Sequence, residues 1–85
     1  MQGTGDFFPL FRLPMGEAAL IQAFYLHGEI GQQLRQFGWT PGASIQKCRT
    51  APGGALTAYM VAGVMIGLRK SDAKMIMVKR ISKTD

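Results

Sequence analysis

Between Arg49 and Arg69 the chain carries no charged residue. A stretch of that kind invites a membrane-spanning reading, and its own turn residues argue against it. Pro52-Gly53-Gly54 reads as a turn, leaving Leu56–Leu68 as the apolar remainder. That remainder has 13 residues, whereas a helical span needs about 20, and apolar runs of about 10–14 residues are more often buried core. Gly63 and Gly67 weaken a helix there by about 1 kcal/mol each. The same residues suit two strands, Leu56–Val61 and Val64–Leu68, joined at Ala62-Gly63 as a tight hairpin.

The flanking segments extend this β pattern. Ala43–Thr50 reads as a strand before the Ala51–Gly54 turn, and Met75–Ile81 as the last strand. Ser71–Lys74 resembles one helical turn with Ser71 or Asp72 as its cap. Ala18–Tyr25 reads as a buried strand, although short apolar runs leave a helix open. Glu29–Phe37 is the best helix: Ile30, Leu34 and Phe37 fall at i, i+4 and i+7, on one face. Glu29 suits the positive end of its dipole, and Gly38 is a natural stop. Residues 1–12 read as an irregular extension, broken by Gly3, Gly5 and Pro9. Its cluster of Phe7, Phe8, Leu10 and Phe11 either packs back on the fold or covers a partner surface. Residues 82–85 form a polar tail. Five short strands without a βαβ rhythm predict a mainly β fold, a small barrel over residues 13–81 with one or two short helices.

Eighty-five residues make one domain at most, with a thin core. Cys48 is the only cysteine, which rules out an internal disulfide and fits a reducing compartment. Residues 1–11 hold Asp6, no Lys or Arg and no sustained apolar run, so a secretory leader is not expected. Net charge is +5 and uneven: residues 43–85 hold eight Lys or Arg against Asp72 and Asp85, while residues 1–42 hold Arg12 and Arg35 against three acids. A basic half can meet an acidic protein, a lipid headgroup or nucleic acid, or simply be a solvated face.

Four pieces of sequence, in order, resemble the FeoA family over about residues 13–81. Leu34–Gly42 (LRQFGWTPG) is similar to the family's helix end, glycine, apolar residue and Pro-Gly. Ala51–Gly54 (APGG) resembles its Ala-Pro-x-Gly turn. Val61–Arg69 resembles its turn and apolar strand ending Leu-Arg, and Ser71–Val78 its Asp-Ala turn and Ile-x-Val strand. The resemblance implies an SH3-like barrel, a cytoplasmic location, and a role beside the ferrous iron permease FeoB, which carries a cytosolic GTP-binding domain. FeoA-like domains also resemble the C-terminal barrel of metal-dependent repressors, although this chain has no room for their helix-turn-helix domain. The sequence departs from the family at several positions. Ala55 and Leu56 replace a frequent Asp-Pro, Ala58 and Met60 stand in slots commonly charged, and Lys47 takes a usually apolar position.

Catalysis finds no convergent set. One histidine, one cysteine and five scattered acids supply no nucleophile with a base and an orienting partner, and there is no phosphate-loop motif. The chain reads as non-enzymatic. His27 and Glu29 are the candidate metal pair, two residues apart. Two ligands fall short of the three or four a zinc site needs, so a divalent iron or zinc ion would be weakly bound or shared across a homodimer, and no cofactor is required. Cys48 reads as a small core residue.

Strand parity places Met60, Met65 and Met77 opposite the Val, Ile and Leu sets, pointing outward, where methionine suits adaptable protein contact. The competing reading is filler, with the N-terminal phenylalanines covering them. Leu34, Phe37 and Trp39 either pin the helix to the barrel or line a cleft for a partner segment. Arg69 and Lys70 end a strand and could meet acidic groups, or be a solvated strand end. Lys79, Arg80 and Lys83 cluster without an aromatic sequence neighbour, which argues against nucleic acid, since single-strand binding needs stacking aromatics. The expected function is an accessory protein of ferrous iron uptake that binds FeoB without inserting in the membrane; the alternatives are a metal-bridged scaffold and a nucleic-acid-binding barrel.

Overall fold

The computed structural model describes residues 7–81. Six strands form one sheet in the order β1-β6-β2-β3-β4-β5. They are β1 (Phe7–Pro9), β2 (Ala18–Phe24), β3 (Ser44–Thr50), β4 (Leu56–Val61), β5 (Val64–Arg69) and β6 (Ile76–Arg80). Every neighbouring pair is antiparallel. Helix α1 (Gly28–Gln36) lies between β2 and β3, and α2 (Lys70–Ala73) between β5 and β6. The small, mainly β fold expected from sequence is therefore present, with one strand more than expected. The sheet is not closed, because no ladder joins β1 to β5 among the described residues.

The extra strand corrects the irregular reading of the extension over residues 7–12. Phe7–Pro9 pairs with β6, Phe8 opposite Val78 and Pro9 opposite Met77. Leu10–Arg12 forms a 3-10 turn whose Leu10 is fully buried. Proline is tolerated because this strand is a sheet edge, where its missing N–H leaves no broken ladder. The apolar cluster thus packs back on the fold, with Phe8 and Phe11 against the core and Phe7 half-exposed. Residues 1–6 and the polar tail at 82–85 lie outside the described residues.

Two bulges bend the sheet. One lies in the β2–β6 pairing at Ile21/Ala23, the other in the β3–β4 pairing at Lys47/Arg49; an extra residue on one strand increases local twist. The concave side holds the core: Leu10, Leu13, Ile21, Leu34, Trp39, Ile45, Tyr59, Val61, Leu68, Ile76 and Val78 are each at most 2% exposed. Ala18–Phe24 resolves the helix-or-strand ambiguity as strand, with Ala19 and Ile21 buried in alternation.

Helix α1 matches the predicted segment within one residue at each end, but its buried face is rotated. Gly31 and Leu34 point inward, while Ile30 and Phe37 remain exposed. The reason is backbone proximity. A Cβ on Gly31 would sit 2.6 Å from the Leu26 carbonyl oxygen, so α1 seats itself through its glycine rather than through Ile30. The helix ends in a Schellman motif. The Trp39 amide donates to Leu34 O and the Gly38 amide to Arg35 O, both at 3.0 Å, with Gly38 in the left-handed region at φ +94°. The motif's apolar contact pairs Leu34 with Trp39, and both are buried. The second helix has Arg69 at its N-cap and no side-chain capping bond, so neither Ser71 nor Asp72 caps it.

Candidate partner-binding surface

The β4–β5 hairpin turns at Ala62-Gly63, both with positive φ, the signature of the tightest hairpin turns. Its register sets three pairs on the outer face: Met60 opposite Met65, Ala58 opposite Gly67, Leu56 opposite Arg69. The inner face takes Tyr59, Val61 and Leu68, all buried. Alternation therefore forces Leu56, Ala58, Met60, Met65 and Gly67 outward. Ala58 and Gly67 are short, so they form the floor of a shallow trough between the Met60–Met65 and Leu56–Arg69 pairs. Met65 is 50% exposed and Leu56 45%. On the next strand Gln46 stands opposite Met60 and Arg49 opposite Ala58, a polar rim. Strand β5 is also an edge of the sheet, and its outer backbone is open to a partner strand.

The other candidates separate from this patch. Met77 is half-buried on β6, separated from β4 by β2 and β3 in sheet order, with Pro9 and Ala23 as its neighbours. The N-terminal segment pairs beside that methionine through Pro9, while Phe7 and Phe8 stand opposite Lys79 and Val78. Leu34 and Trp39 are enclosed in the core, where Trp39 meets Tyr59 edge to face at 6.3 Å. Buried to this degree, they present no surface to a partner and join the helix end to the core. Phe37 remains 47% exposed at the helix end. Leu56 went unsingled from sequence, although its parity with Ala58 and Met60 carries the signal.

Arg69 borders the trough, while Lys70 opens α2 and turns to the Phe11 ring, its Nζ 5.2 Å from the centroid. Arg80 lies over Phe8 at 5.2 Å and pairs with Glu17 at 3.5 Å. The basic cluster at β6 thus has an aromatic neighbour after all, and the guanidinium itself covers that ring. His27 is the exposed N-cap residue of α1 and Glu29 lies exposed in its first turn. Among the described residues no group of three or more His, Cys, Asp or Glu is placed to hold a metal ion. Cys48 is half-buried beside the β3 bulge, its thiol 3.7 Å from Gln46 O. No helix among the described residues is long and apolar enough to cross a membrane.

Residues 8–80 match the sequence profile of the FeoA domain. The chain belongs to the FeoA family. That family is associated with ferrous iron transport and consists of small accessory domains rather than known enzymes. FeoA of Chlorobium tepidum superposes with a TM-score of 0.83 at 22% identity, over 92% of this chain and 74% of that one. Iron(II) transport protein A of Clostridium thermocellum gives 0.78 at 31% identity, over 87% of this chain and 46% of that one. The zinc complex of Stenotrophomonas maltophilia FeoA, described as a prokaryotic SH3 domain protein, gives 0.71 at 28% identity, over 85% and 89%. No curated protein sequence matches the chain. The expected SH3-like fold is thereby met, and the FeoA match begins inside the segment first read as an extension.

Proposed function

We propose that this FeoA protein assists ferrous iron uptake by binding the FeoB permease, with the outer face of the β4–β5 hairpin as its contact. The observation that carries the reading is the trough itself. Five apolar or side-chain-free positions, Leu56, Ala58, Met60, Met65 and Gly67, lie on one solvent-facing surface of an edge hairpin. An apolar patch at an open sheet edge costs solubility unless something covers it. Methionine adapts to a partner's contour without a fixed shape of its own. Arg49 and Arg69 frame the trough and select a partner segment that is apolar in the middle and acidic at its flanks. The working location is then the cytoplasmic side of the membrane, beside the permease's GTP-binding domain.

Calorimetric titration of that GTP-binding domain with wild-type protein and with Met65→Asp tests the reading. A buried interfacial charge without a partner costs several kcal/mol, so Met65→Asp should abolish measurable binding. Phe37→Asp, on the helix end, should bind as wild type. Equal affinity for all three proteins removes the trough from the interface. Binding lost with Phe37→Asp alone transfers the contact to the helix end.

A further inference from the structure

A second surface feature stands apart from the trough. Where the 3-10 turn and the start of α2 meet β3, β4 and β5, a cavity of about 190 Å³ is lined by Phe11, Lys47, Gly54, Thr57, Tyr59, Leu68 and Lys70. At roughly 30 Å³ per water, it has room for about six waters or for one oxyanion group with its hydration. Its walls carry two lysines and no carboxylate.

Lys47 is the unusual wall. It stands on the inner side of β3 opposite Tyr59, among positions that otherwise face the core. Its ammonium donates to the Phe11 carbonyl at 3.0 Å, which leaves two of its three N–H donors. Burial lowers its pKa from the usual lysine value, because desolvation disfavours the charged ammonium. Three further cations crowd the same residue. Lys70, Lys74 and Arg12 lie 5.2, 5.8 and 5.9 Å from the centre of the Phe11 ring. Within 4 Å the only ion pair among the described residues is Arg80–Glu17, so none of these four cations has a carboxylate partner there. The ring faces offset part of the charge, but four cations around one residue still repel one another.

We propose that the cavity beside Phe11 is an oxyanion site, which takes a phosphate or carboxylate group between Lys47 and Lys70. Lys47 supplies its free donors from within, Lys70 closes the open side, and Arg12 and Lys74 supply long-range attraction. The site depends on the departure at Lys47, so relatives with an apolar residue at that position should lack it.

The test is an amide NMR titration of the full chain with sodium phosphate and with sodium acetate, each against sodium chloride at equal ionic strength. The expected result is a saturable shift of Thr57, Tyr59 and Leu68 amides with phosphate, acetate or both, and none with chloride. Phosphate alone assigns the site to phosphate groups, acetate alone to carboxylates, and both to oxyanions in general. Lys47→Met should weaken the effect about tenfold, the value of one charge-assisted hydrogen bond. Lys70→Gln should weaken it comparably, and Lys79→Gln, on exposed β6, should leave it unchanged. Shifts no larger than those with chloride overturn the proposal. So do saturable shifts undiminished in both Lys47→Met and Lys70→Gln, since they would locate the anion elsewhere.

Discussion

Replacing Gly31 with alanine sets two physical rules against each other. In an exposed helix interior, alanine is favoured over glycine by about 1 kcal/mol, so propensity alone predicts a more stable protein. The structure predicts the opposite. The new Cβ would meet Leu26 O at 2.6 Å and its carbonyl carbon at 2.9 Å, both closer than Cβ contacts come. The obstacle is backbone and cannot rotate away, so α1 must retreat. That retreat strains the Arg35–Leu26 O bond, already 3.4 Å long, and withdraws Leu34 from the core one turn further on. Overpacking costs about 1–3 kcal/mol, and a rigid obstacle places this case near the top of that range. Less the propensity gain, Gly31→Ala should lose about 2 kcal/mol, or roughly 8–16 °C in Tm for a domain of this size. Thermal unfolding followed by far-UV circular dichroism checks it, with Gln32→Ala on the exposed face as the control. A Gly31→Ala protein as stable as wild type would refute the claim that α1 is seated through this glycine.

Three other outcomes follow from single features. Ala62→Asn should raise stability by about 1 kcal/mol, because Ala62 holds φ +52° in the hairpin turn, a conformation asparagine tolerates better; urea unfolding measures it. Trp39→Ala should cost about 3–5 kcal/mol, whereas Trp39→Phe should cost far less, since the buried indole N–H has no hydrogen-bond partner among the described residues; both are read by the same unfolding curves. Burial pushes the Tyr59 phenol up to about 12. The folded state therefore holds its proton longer than the unfolded chain, and this contribution to stability, intact below about pH 10, drains away as pH rises toward 12. In Tyr25→Phe protein, where Tyr59 is the remaining tyrosine, absorbance at 295 nm should report ionisation near pH 12, and a midpoint near 10 would contradict the burial.

Turn chemistry made much of this fold legible. Pro52-Gly53-Gly54, Ala62-Gly63 and Gly38 each mark a chain reversal that the structure contains, because positive φ is costly for other residues. Parity on β4 and β5 then separated Tyr59, Val61 and Leu68 from Met60 and Met65 correctly. Two features were hidden for identifiable reasons. Phe7–Pro9 has too few residues to show a period, and its strand exists through tertiary pairing with β6. The rotation of α1 depends on how closely its glycine approaches Leu26, a distance no spacing encodes. The same limit applies to Leu34 and Trp39, whose burial follows from the Schellman turn they share. Lys47 was visible as a departure from the family, but the gathering of Arg12, Lys70 and Lys74 around Phe11 required the fold.

Whether the outer face of the β4–β5 hairpin meets FeoB is read residue by residue in an amide NMR titration. Isotope-labelled protein would be observed while the GTP-binding domain of the same organism's FeoB is added. Shifts gathered on Leu56, Ala58, Met60, Met65 and Gly67 are the predicted result. Shifts confined to α1 or to β6, or none at high concentration, would contradict it.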